Sequence, residues 1–216
     1  MAIVLNQLCN KQHHLRYPQS LFVFSFLVVV TFNFALEATP STVNLIVPGI
    51  LWVSMLFGSM VGFNRVFLSE LELGAFQGLL TSPIGRDVIF LGKVLSNLMF
   101  LVVIEAILVP VLIILFNVTL SPLDLVCVSV PALLGLSLSG TLFAAISMNM
   151  RAKEVMLPIL FLPAVVPIIM GSVEATYLIM TDASLYESLK WIILMIIFDV
   201  VYCVVGAVCF TMIIED

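Results

Sequence analysis

Charge is what this chain has least of. Only 10% of its 216 residues are charged, while 62% are hydrophobic and the mean hydropathy is +1.27. A soluble domain carries about 25% charged residues, so this chain cannot clothe itself in a water-compatible surface and must be an integral membrane protein. Eight basic against thirteen acidic residues give a net charge of −5; without a basic patch a nucleic-acid role is excluded. Histidine is nearly absent. His13 and His14 both sit near the N-terminus, so no histidine-based catalytic pair can form within the bilayer. The four cysteines (Cys9, Cys127, Cys203, Cys209) include no C-x-x-C pair and no Cys/His spacing that suits a metal. Gly85–Lys93 superficially resembles a phosphate-binding loop. It has six residues between Gly85 and Gly92 where that loop has four, and Val94 follows Lys93 where a Ser or Thr is needed. Any ATP-driven work must draw its energy from another subunit.

Long apolar runs are abundant. About 20 such residues cross the hydrocarbon core as a helix, and six runs qualify: Ser20–Leu36, Val43–Phe63, Val88–Phe116, Leu123–Met148, Val155–Gly171 and Leu189–Ile214. The expected fold is therefore an all-α polytopic membrane protein with six transmembrane helices in one domain spanning 1–216. With the N-terminus inside, Lys11, Arg16, Arg65, Arg86, Lys93, Arg151 and Lys153 all fall at the cytoplasmic side and only Lys190 outside. The positive-inside rule thus orients the chain, with both termini cytoplasmic. The first span is expected to be retained, because Phe34–Ser41 offers no A-x-A cleavage site.

Three segments outside the spans have a pattern of their own. Residues 1–18 alternate apolar and polar residues and end at Pro18, which suits a helix lying along the interface. His13–His14 within it suits either a metal or haem ligand or, more simply, polar residues at headgroup level. Residues 65–87 form the one long polar interruption, on the cytoplasmic side. There Val66, Phe67, Leu71, Leu73, Phe76, Leu79 and Leu80 recur at helical spacing, Glu70, Glu72 and Gln77 take other faces, and Pro83 and Gly85 end the element. Such a helix, about Glu70–Leu80, either docks in a groove of a cytosolic subunit or lies on the membrane without a partner. Residues 172–188 are semi-apolar and are expected to dip back toward the membrane from outside.

Within the spans, prolines fall at 48, 110 and 131 and three times in the fifth, at 158, 163 and 167. Each removes a backbone donor, so the fifth helix is expected to be broken and centrally packed. Gly58 and Gly62 form a G-x-x-x-G, and Gly135, Ser139 and Gly140 thin one face of the fourth span. These suit close packing inside the chain or, for the first motif, a dimer seam. Glu105 and Asp199 are acids at membrane depth. A proton relay, a polar helix–helix contact and a pathway lining are all open to them.

The pattern from Arg65 through Phe67, Glu70, Gly74, Leu79 and Leu80 to Pro83 resembles the cytoplasmic region of the CcmB family. The likeness continues in Gly140–Ala145, the basic turn Arg151–Lys153 and the proline-rich Leu157–Gly171. Family members often carry an Asp-Gly-Thr-Leu-Glu-like stretch where this chain has Leu73, Gly74, Ala75, Phe76 and Gln77, so the acid on each side of Gly74 is missing. The resemblance implies an ABC-2-type permease subunit of the bacterial inner membrane, with no catalytic site of its own, dimeric and seated on a CcmA-like ATPase that binds the ATP. It further implies a CcmC-like haem-handling subunit, a small CcmD-like subunit and a CcmE-like haem chaperone. The expected role is haem export or haem-chaperone release in c-type cytochrome biogenesis, with haem as cargo. Arg65, Phe67, Glu70, Glu72, Gly74, Phe76, Gln77, Leu79, Leu80 and Pro83 would be the ATPase-coupling residues. With only Trp52 and Trp191 and no external histidine, the chain lacks the features of the haem-handling subunit. The other readings are an ABC-2-type exporter of lipid, polysaccharide or drug and a membrane scaffold or intramembrane enzyme.

Overall fold

The computed structural model describes residues 23, 25–35, 42–72, 85–118, 120–148, 153–181 and 185–213. Six helices follow one another: α1 (Ser25–Ala35), α2 (Val43–Glu72), α3 (Arg86–Phe116), α4 (Pro122–Met148), α5 (Lys153–Met180) and α6 (Leu185–Ile213). No strand occurs among the described residues. Helices α2 to α6 are each long and apolar enough to cross a membrane, and α1 is a shorter apolar helix. The segment 1–18 lies outside the described residues.

Short connections force α3 to α6 to run alternately antiparallel, and α2 runs antiparallel to α5, since Phe63 meets Phe161 while Trp52 meets Thr176. One end of the bundle thus gathers Glu72, Arg86, Met148 and Lys153, and the other Val43, Phe116, Pro122, Met180 and Leu185. The turn between α3 and α4 shows the local chemistry. Asn117 caps α3 in the left-handed conformation (φ 50°, ψ 46°), which asparagine tolerates better than most residues. Pro122 then opens α4 at the first helical position, where its missing N–H costs nothing.

Helix α4 is the centre. It packs against α2, α3, α5 and α6, and 78% of its spanning window is buried against 17% for α6. Its small residues explain this position. A side chain on Gly140 would run into the Phe63 ring of α2, and one on Gly135 would come within 2.7 Å of Ile168 Cδ1 on α5. Gly58 of α2 likewise admits the Ser25 hydroxyl of α1, so this half of the G-x-x-x-G serves packing within the chain.

Two expectations for the fifth span need correction. Helix α5 is uninterrupted from Lys153 to Met180 despite Pro158, Pro163 and Pro167, and it is less buried than α4, at 33% of its window. Residues 172–180 accordingly continue this helix instead of forming a separate segment. In a bilayer a broken helix leaves polar backbone without water, so a proline-bearing helix persists where neighbours supply partners. Tyr202 of α6 also ties the two helices together, its hydroxyl donating to the Ala164 carbonyl of α5 at 2.7 Å.

Candidate functional site

Two groups of sequence-selected residues lie in different parts of the bundle. The first belongs to the end of α2. Its apolar span covers Val43–Phe63, yet the helix continues to Glu72. The nine further residues extend the helix axis about 13 Å beyond the apolar stretch at 1.5 Å per residue. Arg65, Phe67, Glu70 and Glu72 therefore stand on a helical prolongation of a membrane helix, where the sequence pattern suggested a loop from residue 65 on. Gly74, Phe76, Gln77, Leu79, Leu80 and Pro83 lie outside the described residues. Helix α3 starts immediately after Gly85, whose carbonyl accepts from the N–H groups of Val88 and Ile89.

The junction between the prolongation and the span is tightly built. Phe63 is 3% exposed and meets the Phe161 ring of α5 edge-on, with centroids 5.9 Å apart and an interplanar angle of 75°. Its other neighbour is Gly140, where any side chain would collide with the ring. One residue at the root of the prolongation thus touches α4 and α5 together. Further along α2, the Trp52 indole N–H donates to Thr176 Oγ1 of α5 at 2.9 Å. Sequence reasoning passed over Phe63 and Trp52; their signal was only that each is a large aromatic within helical reach of a small-residue face.

The second group lies at membrane depth. Glu105 of α3 is 7% exposed and accepts a 2.5 Å hydrogen bond from the Ser129 hydroxyl of α4. The same helix pair is joined by Asn97 Nδ2 donating to Thr141 Oγ1 at 2.9 Å and by Ser137 Oγ donating to the Val94 carbonyl at 2.7 Å. Glu105 is thus one rung of a three-bond ladder between α3 and α4. A cleft of about 300 Å³ lies beside it, with Val102, Ala106, Pro110 and Val126 among its walls. Asp199 of α6 has different surroundings. It is 8% exposed, its Oδ1 has no hydrogen-bond partner, and it occupies the space left by Gly135, where an added Cβ would lie 2.5 Å from that oxygen. Each acid thus has its own neighbour on α4, Ser129 for Glu105 and Gly135 for Asp199. Among the described residues no three His, Cys, Asp or Glu side chains are grouped to hold a metal.

The family model described as CcmB protein matches residues 10–215. Heme exporter protein B of Pseudomonas aeruginosa is 26% identical over 154 residues, covering 69% of this chain and 68% of that protein. Heme exporter protein B of Paracoccus denitrificans is 29% identical over 154 residues, or 69% of this chain and 70% of that one. The protein of that name from Escherichia coli K12 is 32% identical over 75 residues, about a third of each chain (34%). With a family match running across nearly all of its helices, this multi-pass membrane protein belongs to the CcmB family.

Proposed function

We propose that the chain is the membrane permease subunit of an ABC-type complex that exports haem, or releases a haem-loaded chaperone, in c-type cytochrome biogenesis. The name of its relatives, Heme exporter protein B, supports the cargo, and favours it over a lipid, polysaccharide or drug. The observation that carries the mechanism is the continuity of α2 from the buried bundle to Glu72. In this reading the segment 65–87 is the coupling element for a CcmA-like ATPase, which binds and hydrolyses the ATP. A CcmC-like subunit handles the haem, with a CcmD-like small subunit and a CcmE-like chaperone alongside, and two copies of this chain form the permease. The basic residues favour cytoplasmic termini in a bacterial inner membrane.

Hydrolysis shifts a conformational balance only through contacts that differ between the two states. Phe63 is suited to carry that difference. A tilt of the α2 prolongation levers the ring against Gly140 and Phe161, and packed interfaces switch between discrete arrangements in preference to deforming smoothly. The polar ladder between α3 and α4 would make those helices move as a unit. Purifying the native complex and identifying its co-purifying subunits tests the assignment. An ATPase together with haem-handling subunits is expected; an ATPase accompanied only by glycan- or drug-export components would overturn the cargo.

A further inference from the structure

The cleft between α3 and α4 has an unusual polar character. Its only polar side chains are Glu105 and Ser129, and a third oxygen belongs to the backbone of a lining residue. The Ser129 hydroxyl spends its only hydrogen on Glu105 Oε1 and keeps only lone pairs. Glu105 has a second carboxyl oxygen and lines the cleft. The third group is the backbone carbonyl of Ala106. In an α-helix it would accept from the N–H of residue 110, but residue 110 is proline and has none. Both Ala106 and Pro110 line the cleft. Oxygen acceptors thus outnumber donors beside one apolar space, and in hydrocarbon an unmatched polar group is costly.

The position limits what can bind. Glu105 lies about 16 Å from the Phe116 end of α3 at 1.5 Å per residue, which is comparable with half of a hydrocarbon core of about 30 Å. That is too deep for the headgroup of a phospholipid. Val102 on α3 and Val126 on α4 are 44% and 57% exposed, so the cleft opens sideways toward the lipid between them. A volume of about 300 Å³ falls at the small end of ligand pockets, too small for a transmembrane helix.

We propose that the α3–α4 cleft binds a small lipophilic molecule whose polar end donates hydrogen bonds, a primary alkylamine above all, entering from the bilayer. The ammonium pairs with the Glu105 carboxylate and donates its remaining hydrogens toward the Ala106 carbonyl and Ser129. An amine arriving neutral takes the carboxyl proton and forms the same pair. The alkyl chain lies along Val102 and Val126. The site is independent of the ATPase, so it is read on this chain alone and stands apart from the export assignment.

The test uses the full chain in lipid nanodiscs and a decylamine carrying a photoactivatable diazirine. Competition by unlabelled decylamine, decanol, decyltrimethylammonium and decanoate separates donation from charge, because the trimethylammonium keeps the charge but has no N–H. Labelling is expected to concentrate on α3 and α4 peptides, with decylamine competing best, decanol next, and the other two weakly. Glu105→Gln is expected to lower specific labelling about tenfold, the scale of one charge-assisted hydrogen bond. Val126→Trp, which fills the cleft from its lipid-facing side without touching the acceptors, is expected to abolish it, with the circular dichroism spectrum unchanged. Equal competition by decanoate, or equal labelling of both variants and the parent, overturns the proposal.

Discussion

Asp199 and Glu105 differ in what their neighbours offer, and this sets what substitution does to each. Glu105 receives the Ser129 hydroxyl, whereas Asp199 Oδ1 is buried without a partner against Gly135. Ser129→Val is expected to strand the Glu105 carboxyl and cost about 1–3 kcal/mol, read as a lowered unfolding temperature in detergent. Ser129→Thr keeps the donor and should restore most of that loss. An unchanged unfolding temperature for the valine variant would contradict the ladder. At position 199 the direction reverses. Asp199→Asn keeps the shape while removing an acid whose Oδ1 is buried without a partner, so stability should hold or rise by about 1 kcal/mol, with c-type cytochrome assembly retained in a complemented strain. A collapse of assembly at normal expression would instead give Asp199 a pathway role. The depth of both acids was legible from the sequence alone. Their partners were not, because Ser129 and Gly135 look like any other small residues until α4 is placed between α3 and α6.

At the scale of the element, α2 and α5 are the informative helices. The sequence pattern divides α2 where polarity begins, near Arg65, because hydropathy marks the edge of the bilayer and not the end of a helix. The backbone has no reason to stop there: Arg65 to Glu72 contains no proline or glycine, and Leu, Arg and Glu are good helix formers. In α5 the error is opposite. Three prolines suggested a break, but a break in lipid exposes more backbone than proline itself frees. Two predictions belong here. Leu68→Pro interrupts α2 between its span and Glu72, and is expected to leave the chain inserted at normal abundance while ATPase stimulation is lost. Stimulation at the parental level would show that helix continuity is not used. Gly140→Ala places a methyl against the Phe63 ring and should destabilise by about 1–3 kcal/mol as an overpacked contact. Adding Phe63→Leu should recover part of the loss, a non-additivity expected of residues in direct contact; strictly additive effects would deny the contact.

For the whole molecule, the five spanning helices α2 to α6 and their order were readable from apolar run length, which physical necessity ties to bilayer thickness, while the first expected span appears among the described residues only as the shorter apolar helix α1. Which helix sits in the middle was not. The two spans of lowest hydropathy, α2 and α4, are the two most buried, and between them Gly135, Ser137, Ser139 and Gly140 make α4 the helix that the others approach. Orientation is a property of the entire chain and rests on the basic residues, Arg65, Arg86, Lys93 and Lys153 near one end of the bundle and Lys190 near the other. In a variant lacking native cysteines, Glu187→Cys should react with a membrane-impermeant maleimide added to spheroplasts, and Arg86→Cys only after lysis. The reverse pattern would invert the topology.

All of these scales meet in the claim that the segment following α2 receives work from a separate ATPase. The most direct measurement is co-purification of the ATPase, together with its hydrolysis rate, for Leu79→Asp and Leu80→Asp in the assembled complex. A charge on the apolar face of the docking segment should detach the ATPase or reduce stimulated hydrolysis to the basal rate, with the membrane helices still folded and inserted. ATPase retained at parental stoichiometry and turning over at the parental rate in both variants would contradict the account.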